Sequence, residues 1–301
     1  MGERMWVSNL GMDDISGGTE VLGTEFCKAM KLKYMSARKF GVNTSPDIDI
    51  RLKDIPLDLL VYNSTNCATV KPNAKRSIAV CCENFKKESV CLGVEEFRKM
   101  KLLEWDFQQK SLRNADKIVT ISKGEYDSFL SDGFKSTMIE PYVDLDSFHP
   151  KMVEKRPKKT ALFVGRMHNR KGYDVVLELQ KLHPEIKFVI HTGGFLATDA
   201  LNDLYNTADF LIMPSRYESF GFIYAEALAT NLPIISSRVG VFETWQPEDY
   251  GIFPEDISVE SFSKAINEFG KREFRKSRDL AEKRFSYNRF KGDCDDILSN
   301  W

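Results

Sequence analysis

The feature that most constrains the fold is a series of short, nearly unbroken apolar runs. They are LDLLVY (residues 57–62), SIAV (77–80), ALFV (161–164) and FLIM (210–213), with stretches of helical periodicity between them. A strand with one wet face alternates apolar and polar residues. A strand that is apolar at nearly every position is buried on both faces, as in a parallel sheet covered by helices. Strands are expected at residues 5–8, 57–62, 77–82, 117–121, 137–140, 160–164, 187–191, 210–213 and 233–236. Helices are expected at 19–31, 94–114, 123–131, 173–182, 200–206, 221–230 and 258–269. Such alternation predicts an α/β fold of two Rossmann-like, doubly wound domains, whose ligands bind at the carboxyl ends of the strands.

At 301 residues the chain has room for two domains of ordinary size. The segment HPKMVEKRPKK, residues 149–159, has two prolines, a charge cluster and no apolar periodicity, and a fresh strand follows it. The expected division is therefore residues 1–150, residues 157–284 and a closing amphipathic helix at 285–301. Phe285, Phe290, Cys294, Ile297, Leu298 and Trp301 share one face of that helix. A formal net charge of −1 argues against nucleic acid as the partner. The opening MGERMWVSNLGMDD lacks the charged-then-apolar pattern of a secretory leader, and no apolar run approaches the ~20 residues that span a bilayer. A cytoplasmic, monomeric protein is expected. Cys27, Cys67, Cys81, Cys82, Cys91 and Cys294 form no C-x-x-C pair, which suits free thiols and no zinc site; Cys81 and Cys82 should point to opposite faces of a strand.

Three segments carry candidate chemistry. In MPSRYESFGFIYAEALATNLP (213–233) a buried strand runs through a polar turn into a helix, with Glu218 at the entrance and Glu226 two turns inside. Gly221 permits close backbone approach, and the unpaired amides of residues 219–222, with the helix dipole, favour an anion such as a diphosphate. The two carboxylates either grip the ends of a nucleotide sugar or serve as a helix cap (Glu218) and a surface ion pair (Glu226). In FVGRMHNRKG (163–172) the strand ends at Gly165, and Arg166 and Lys171 flank the turn. They either neutralise a diphosphate or form a solvated basic loop. In ISGGTE (15–20) Gly17 and Gly18 precede a helix, without the G-x-G-x-x-G pattern of nicotinamide-binding proteins.

Together these residues resemble family 4 of the retaining glycosyltransferases, which have the GT-B fold: two Rossmann-like domains with a cleft between them and a C-terminal crossover helix. ESFGFIYAE matches the family's E-x7-E motif, and GRMHNRKG, PSRYESFG and VGVFETWQPEDYGIFPED resemble three successive blocks of it. ISKGEYDSFL, VDLDSFHP and FSYNRFKGDCDDIL resemble the strand–helix before the linker, the linker and the closing helix, so the likeness covers most of residues 115–298. The resemblance implies a metal-independent hexosyltransferase with no cofactor beyond its nucleotide-sugar co-substrate, for which GDP-mannose is the first choice and UDP-glucose or a UDP-N-acetylhexosamine the next. The acceptor would be a glycan, a lipid or a protein-linked sugar.

By that resemblance Glu218 contacts sugar hydroxyls, Glu226 the ribose, and Arg166 and Lys171 the departing diphosphate. Gly17 and Gly18 approach the donor, as do Gly165 and Ser215, and the amides of Phe220, Gly221 and Phe222 help hold it. HTGGF (191–195), with Gly193, borders the base. Where the family carries a histidine near the reacting sugar, this chain has Glu83, which either supports positive charge at the anomeric carbon or is an ordinary loop acid. The pairs Asp47/Asp49 and Asp144/Asp146 are not expected to bind metal. The helix at 94–114 is basic at one edge (Arg98, Lys99, Lys101). It either touches a membrane surface or packs Phe97, Leu102, Trp105 and Leu112 inward. An inactive binding protein on the same fold, and a sugar-nucleotide epimerase, are the competing readings.

Overall fold

The structure, a computed structural model, describes residues 3–8, 18–36, 52, 55–66, 71, 73–91, 95–153, 158–193 and 196–301. The chain divides into two compact units, Met1–Pro141 with Phe290–Trp301, and Tyr142–Arg289.

The first unit is built on six parallel strands: β1 (Arg4–Ser8), β2 (Lys33–Ser36), β3 (Leu59–Asn63), β4 (Ser77–Cys81), β5 (Lys117–Thr120) and β6 (Thr137–Met138). Their order is β2-β1-β3-β4-β5-β6. Helices α1 (Gly18–Met30), α2 (Phe85–Cys91), α3 (Glu95–Asn114) and α4 (Lys123–Ser131) belong to the same unit. Every residue of β3 and β4 is buried, as their apolar runs require. Met5, Leu60, Tyr62, Ala79, Trp105, Leu112 and Phe129 meet in one core cluster. Against β1, Trp6 stacks on Phe26 of α1 with ring centroids 5.8 Å apart.

Helix α3 departs from the expected packing. Trp105 and Leu112 are buried, but Phe97 and Leu102 are 44% and 42% exposed. Gln108 and Ser111 take inward positions instead, because they bond to polar groups beneath the helix. Gln108 Nε2 donates to Ser64 Oγ at 2.8 Å and to the Glu83 carbonyl at 2.7 Å, and Tyr62 donates its hydroxyl proton to the Ser111 carbonyl at 3.2 Å. A buried polar side chain persists where it satisfies groups that would otherwise be orphaned.

The second unit holds five parallel strands: β7 (Thr160–Val164), β8 (Lys187–His191), β9 (Phe210–Met213), β10 (Ile234–Ser236) and β11 (Gly251–Ile252), in the order β11-β10-β9-β7-β8. Its helices are α5 (Tyr173–Leu182), α6 (Thr198–Thr207), α7 (Phe222–Ala229), α8 (Val259–Phe269) and α9 (Arg278–Arg284). Single 3-10 turns lie at Asn169–Lys171 and Gly240–Phe242. Helix α9 buries only Ala281 and shows no apolar stripe, so periodicity does not reveal it. It is fixed instead by Ser277 Oγ donating to the Leu228 carbonyl at 2.8 Å and by Arg278, whose guanidinium donates to the carbonyl of Leu145 at 2.9 Å.

Helix α10 (Tyr287–Ser299) closes the chain, with Phe290, Cys294 and Ile297 buried. Phe290 meets Phe26 edge-on at 5.1 Å. Lys117 Nζ donates to the carbonyls of Ile297 (2.9 Å) and Asn300 (2.7 Å), a cation at a helix C-terminus where the dipole favours one. Two members of the expected tail stripe behave otherwise. Phe285 is buried among Phe220 and Trp245 of the second unit, and Trp301 is exposed beneath the ammonium of Lys117.

Candidate functional site

Strand order locates the site in the second unit. The chain runs from β7 outward to β8, then returns to place β9 on the other side of β7. The loops after β7 and β9 therefore diverge at the reversal, where open α/β sheets bind ligands. Those loops, residues 165–172 and 214–221, are the two strongest sequence signals.

They are stitched together. The amide of Arg216 donates to the Arg170 carbonyl at 2.7 Å. The Arg216 guanidinium grips Asp174 with two bonds of 2.7 Å and reaches the Asn169 carbonyl at 2.6 Å. This fork holds the Asp174 carboxyl below the usual carboxylate range, first through its hydrogen bond. Gly172 has φ +69°, and a Cβ there would stand 2.0 Å from the Pro214 carbonyl oxygen. The two loops thus touch backbone to backbone, at a position open only to glycine.

Lys171 and Glu218 form the centre. Lys171 Nζ lies 2.6 Å and 2.8 Å from the two oxygens of Glu218, and Ser215 Oγ donates to Oε1 at 2.9 Å. Glu218 is buried, and little of the Lys171 side chain reaches solvent. Glu218 does not cap the following helix. The N-cap of α7 is Gly221, at φ +88°, which has no side chain with which to cap the helix. The turn is braced from the 3-10 turn after β10, where Val241 N donates to the Phe220 carbonyl at 3.0 Å. Phe220 is buried and Phe222 opens α7.

Glu226 is not in a surface ion pair. It sits within α7, and Tyr205 of α6 donates its phenolic proton to Oε2 at 2.6 Å. Burial pushes the Glu226 carboxyl up to about 7, while the Tyr205 bond pulls the other way. Burial also lifts the Tyr205 hydroxyl well above its usual range, so it stays a proton donor.

Arg166 is exposed next to Gly165, and Gly193 is exposed just beyond β8. Glu83 lies in the first unit after β4, half-buried. Gly18 opens α1, while Gly17 lies outside the described residues, as do Asp47, Asp49 and Cys67. Asp144 is occupied as a turn former, accepting from the amides of Asp146 and Ser147 and from the Ser147 hydroxyl. Among the described residues no group of three or more His, Cys, Asp or Glu could hold a metal ion. Cys27, Cys81, Cys82, Cys91 and Cys294 are free thiols, and burial pushes that of Cys27 up to about 12.

Tyr205 and Arg216 are site residues that sequence reasoning misses. Each acts through a contact made only on folding, and the one signal is placement: a tyrosine in the last turn before a buried strand and an arginine inside the polar turn after it.

A family profile described as "Glycosyl transferases group 1" matches residues 177–271. Mannosylfructose-phosphate synthase of Agrobacterium fabrum is 24% identical over 213 residues, covering 52% of this chain and 47% of that protein. D-inositol 3-phosphate glycosyltransferase of Xylanimonas cellulosilytica is 28% identical over 149 residues, 36% of each. The chain thus spans less than half the length of these relatives. Among solved structures, sucrose-phosphate synthase from Thermosynechococcus elongatus superposes with a TM-score of 0.79 at 16% identity, covering 100% of this chain and 99% of that one. HepE of Anabaena, in complex with UDP-glucose, gives 0.72 at 12% identity over 100% of both chains. The chain has the GT-B fold, with two Rossmann-like lobes and a C-terminal helix, and is related to sugar-nucleotide transferases of that fold.

Proposed function

We propose that this chain is a retaining, metal-independent hexosyltransferase, using a nucleoside diphosphate sugar as donor and a glycan or lipid-linked acceptor. The observation that carries the reading is the Lys171–Glu218–Ser215 cluster at the strand-order reversal, beside the start of α7. When a sugar leaves a nucleotide, negative charge builds on the departing diphosphate. Donors held in place before the reaction stabilise that charge most effectively. An ammonium has three protons; two of those on Lys171 reach Glu218, leaving the third for a phosphate oxygen. Glu218 keeps the cation in place and can also accept from a sugar hydroxyl. Arg166 adds charge at the rim, and the amides of Phe220, Gly221 and Phe222 add the donors of a helix start. Glu226 accepts from the ribose. Since cations of the chain meet the diphosphate charge, no divalent ion is needed.

The test is donor hydrolysis without acceptor, assayed by NMR with GDP-mannose and UDP-glucose. The expected result is slow release of sugar that appears first as the α anomer, at a rate unchanged by EDTA. First appearance of the β anomer contradicts retention. No release from any donor, despite binding, favours an inactive binding protein.

The partner reading extends to a membrane surface. Met100, Leu103 and Phe107 lie on one exposed side of α3, with Lys99 and Lys110 beside them, and Leu103 is 67% exposed. An apolar stripe of this kind suits the headgroup region of a bilayer, and Lys99 and Lys110, paired with Glu95 and Asp106 on the helix itself, can turn to anionic headgroups there. No helix among the described residues is long and apolar enough to cross a membrane. Flotation with phosphatidylglycerol vesicles should recover the protein, and Leu103→Asp with Phe107→Asp should abolish recovery without lowering the melting temperature. Equal recovery of parent and variant would refute the contact.

A further inference from the structure

Glu226 takes its orientation from a neighbouring helix. Tyr205 stands in the last turn of α6, 1% exposed, and donates to Glu226 Oε2 at 2.6 Å. The helix beneath it is held from the other side by the segment that enters this unit. Asn202 Oδ1 accepts from the His149 amide at 3.2 Å, and Asn206 Nδ2 donates to the His149 carbonyl at 3.0 Å. The ring of Phe148 meets that of Tyr205 edge-on at 6.0 Å. The phenol is therefore fixed in place, and its hydrogen bond restrains the Glu226 carboxylate through one oxygen.

Other charged groups near α7 are engaged elsewhere. Arg278 of α9 donates to the Ala229 carbonyl at the far end of the helix, and Lys171 is taken by Glu218. The buried Tyr224 of α7 feels the charge of Glu218. Tyr205 is the side chain that bonds to the Glu226 carboxyl.

We propose that Tyr205 is a positioning residue for the donor's ribose, fixing Glu226 so that its carboxylate accepts from the 2′- and 3′-hydroxyls. The inference rests on the donor reading above and deepens it by assigning recognition of the ribose to a pair of side chains. A vicinal diol is matched by a carboxylate of fixed orientation, and a charged acceptor bonds more strongly than a neutral one. Burial opposes that charge and sets the Glu226 carboxyl near 7, so the tyrosine's hydrogen bond helps keep it ionised at neutral pH.

The experiment is a calorimetric titration with UDP and GDP, each beside its 2′,3′-dideoxy form. The parent should bind the ribonucleotide about tenfold more tightly than the dideoxy form. Tyr205→Phe should erase most of that preference while leaving the dideoxy affinity unchanged. In a Glu226→Gln background the same substitution should add nothing, because the tyrosine acts through the carboxylate. Parent affinity for the ribonucleotide should rise between pH 6 and 8 as Glu226 ionises, and in Tyr205→Phe that rise should move to higher pH. Equal loss of both affinities in Tyr205→Phe, or loss of neither, overturns the proposal. A parent with no preference for ribose overturns it too, together with the ribose role of Glu226, while leaving the diphosphate site at Lys171 and Arg166 standing. A parent that binds neither nucleotide sinks both.

Discussion

Lys171→Ala is expected to lower kcat by about 100- to 1,000-fold at saturating donor, the usual effect of removing one fixed donor to a developing negative charge. It should also destabilise the second unit. Its removal leaves the buried carboxylate of Glu218 with only the Ser215 hydroxyl. Breaking a fully buried pair costs about 3–5 kcal/mol. Part of the Lys171 side chain still reaches solvent, which reduces the expected loss to about 2 kcal/mol. Lys171→Met with Glu218→Leu separates the two effects. The double variant removes both charges and should recover the melting temperature, because an apolar pair of similar volume often replaces a buried ion pair without loss. It should not recover turnover. Thermal melts and steady-state kinetics on the parent and both variants settle this. Full turnover in either variant would remove Lys171 from the chemistry.

The second large effect is expected at Gly172. An alanine there must hold φ near +69°, and its Cβ would lie 2.0 Å from a backbone oxygen, which cannot move aside as a side chain would. The left-handed backbone alone costs about 1–2 kcal/mol. The clash forces the loops after β7 and β9 apart and should bring the total to about 4 kcal/mol, with loss of donor binding. Gly133 provides the control. It has φ +86°, yet nothing lies within 4 Å of an added Cβ, so Gly133→Ala should show the backbone term without the clash. Urea denaturation of both variants gives the comparison. Similar losses at the two sites would mean that close contact with Pro214 is not what demands the glycine.

How much of this could be read from the sequence differs by residue. The strands at 160–164 and 210–213 are found where their apolar runs place them, because every residue in them is buried; the strand at 187–191 is also found, at the sheet edge and only partly buried. The positions of Glu218 and Glu226 were legible for the same reason: a polar turn between a buried strand and a helix stands out. Their partners were not. Lys171 reaches Glu218 across 47 residues and Tyr205 reaches Glu226 across 21, and only the order of strands brings them together. Helix α3 misleads for another reason. Its amphipathic pattern assumes that polar residues face water, yet Gln108 and Ser111 turn inward to satisfy Ser64, Asn66 and the loop after β4, leaving Phe97 and Leu102 exposed. Strand β2 escaped notice because it is four residues long and follows α1 after a turn at Lys31, whose φ is +55°.

The central claim is that the second unit binds a nucleoside diphosphate sugar through its own cations. Calorimetry with UDP-glucose, GDP-mannose and ADP-glucose tests it most directly. Saturable binding of one donor is expected, with Kd between about 1 μM and 1 mM, weakened at least about tenfold in Arg166→Ala and again in Lys171→Ala. Binding of none of the three, or binding that both substitutions leave untouched, would contradict it.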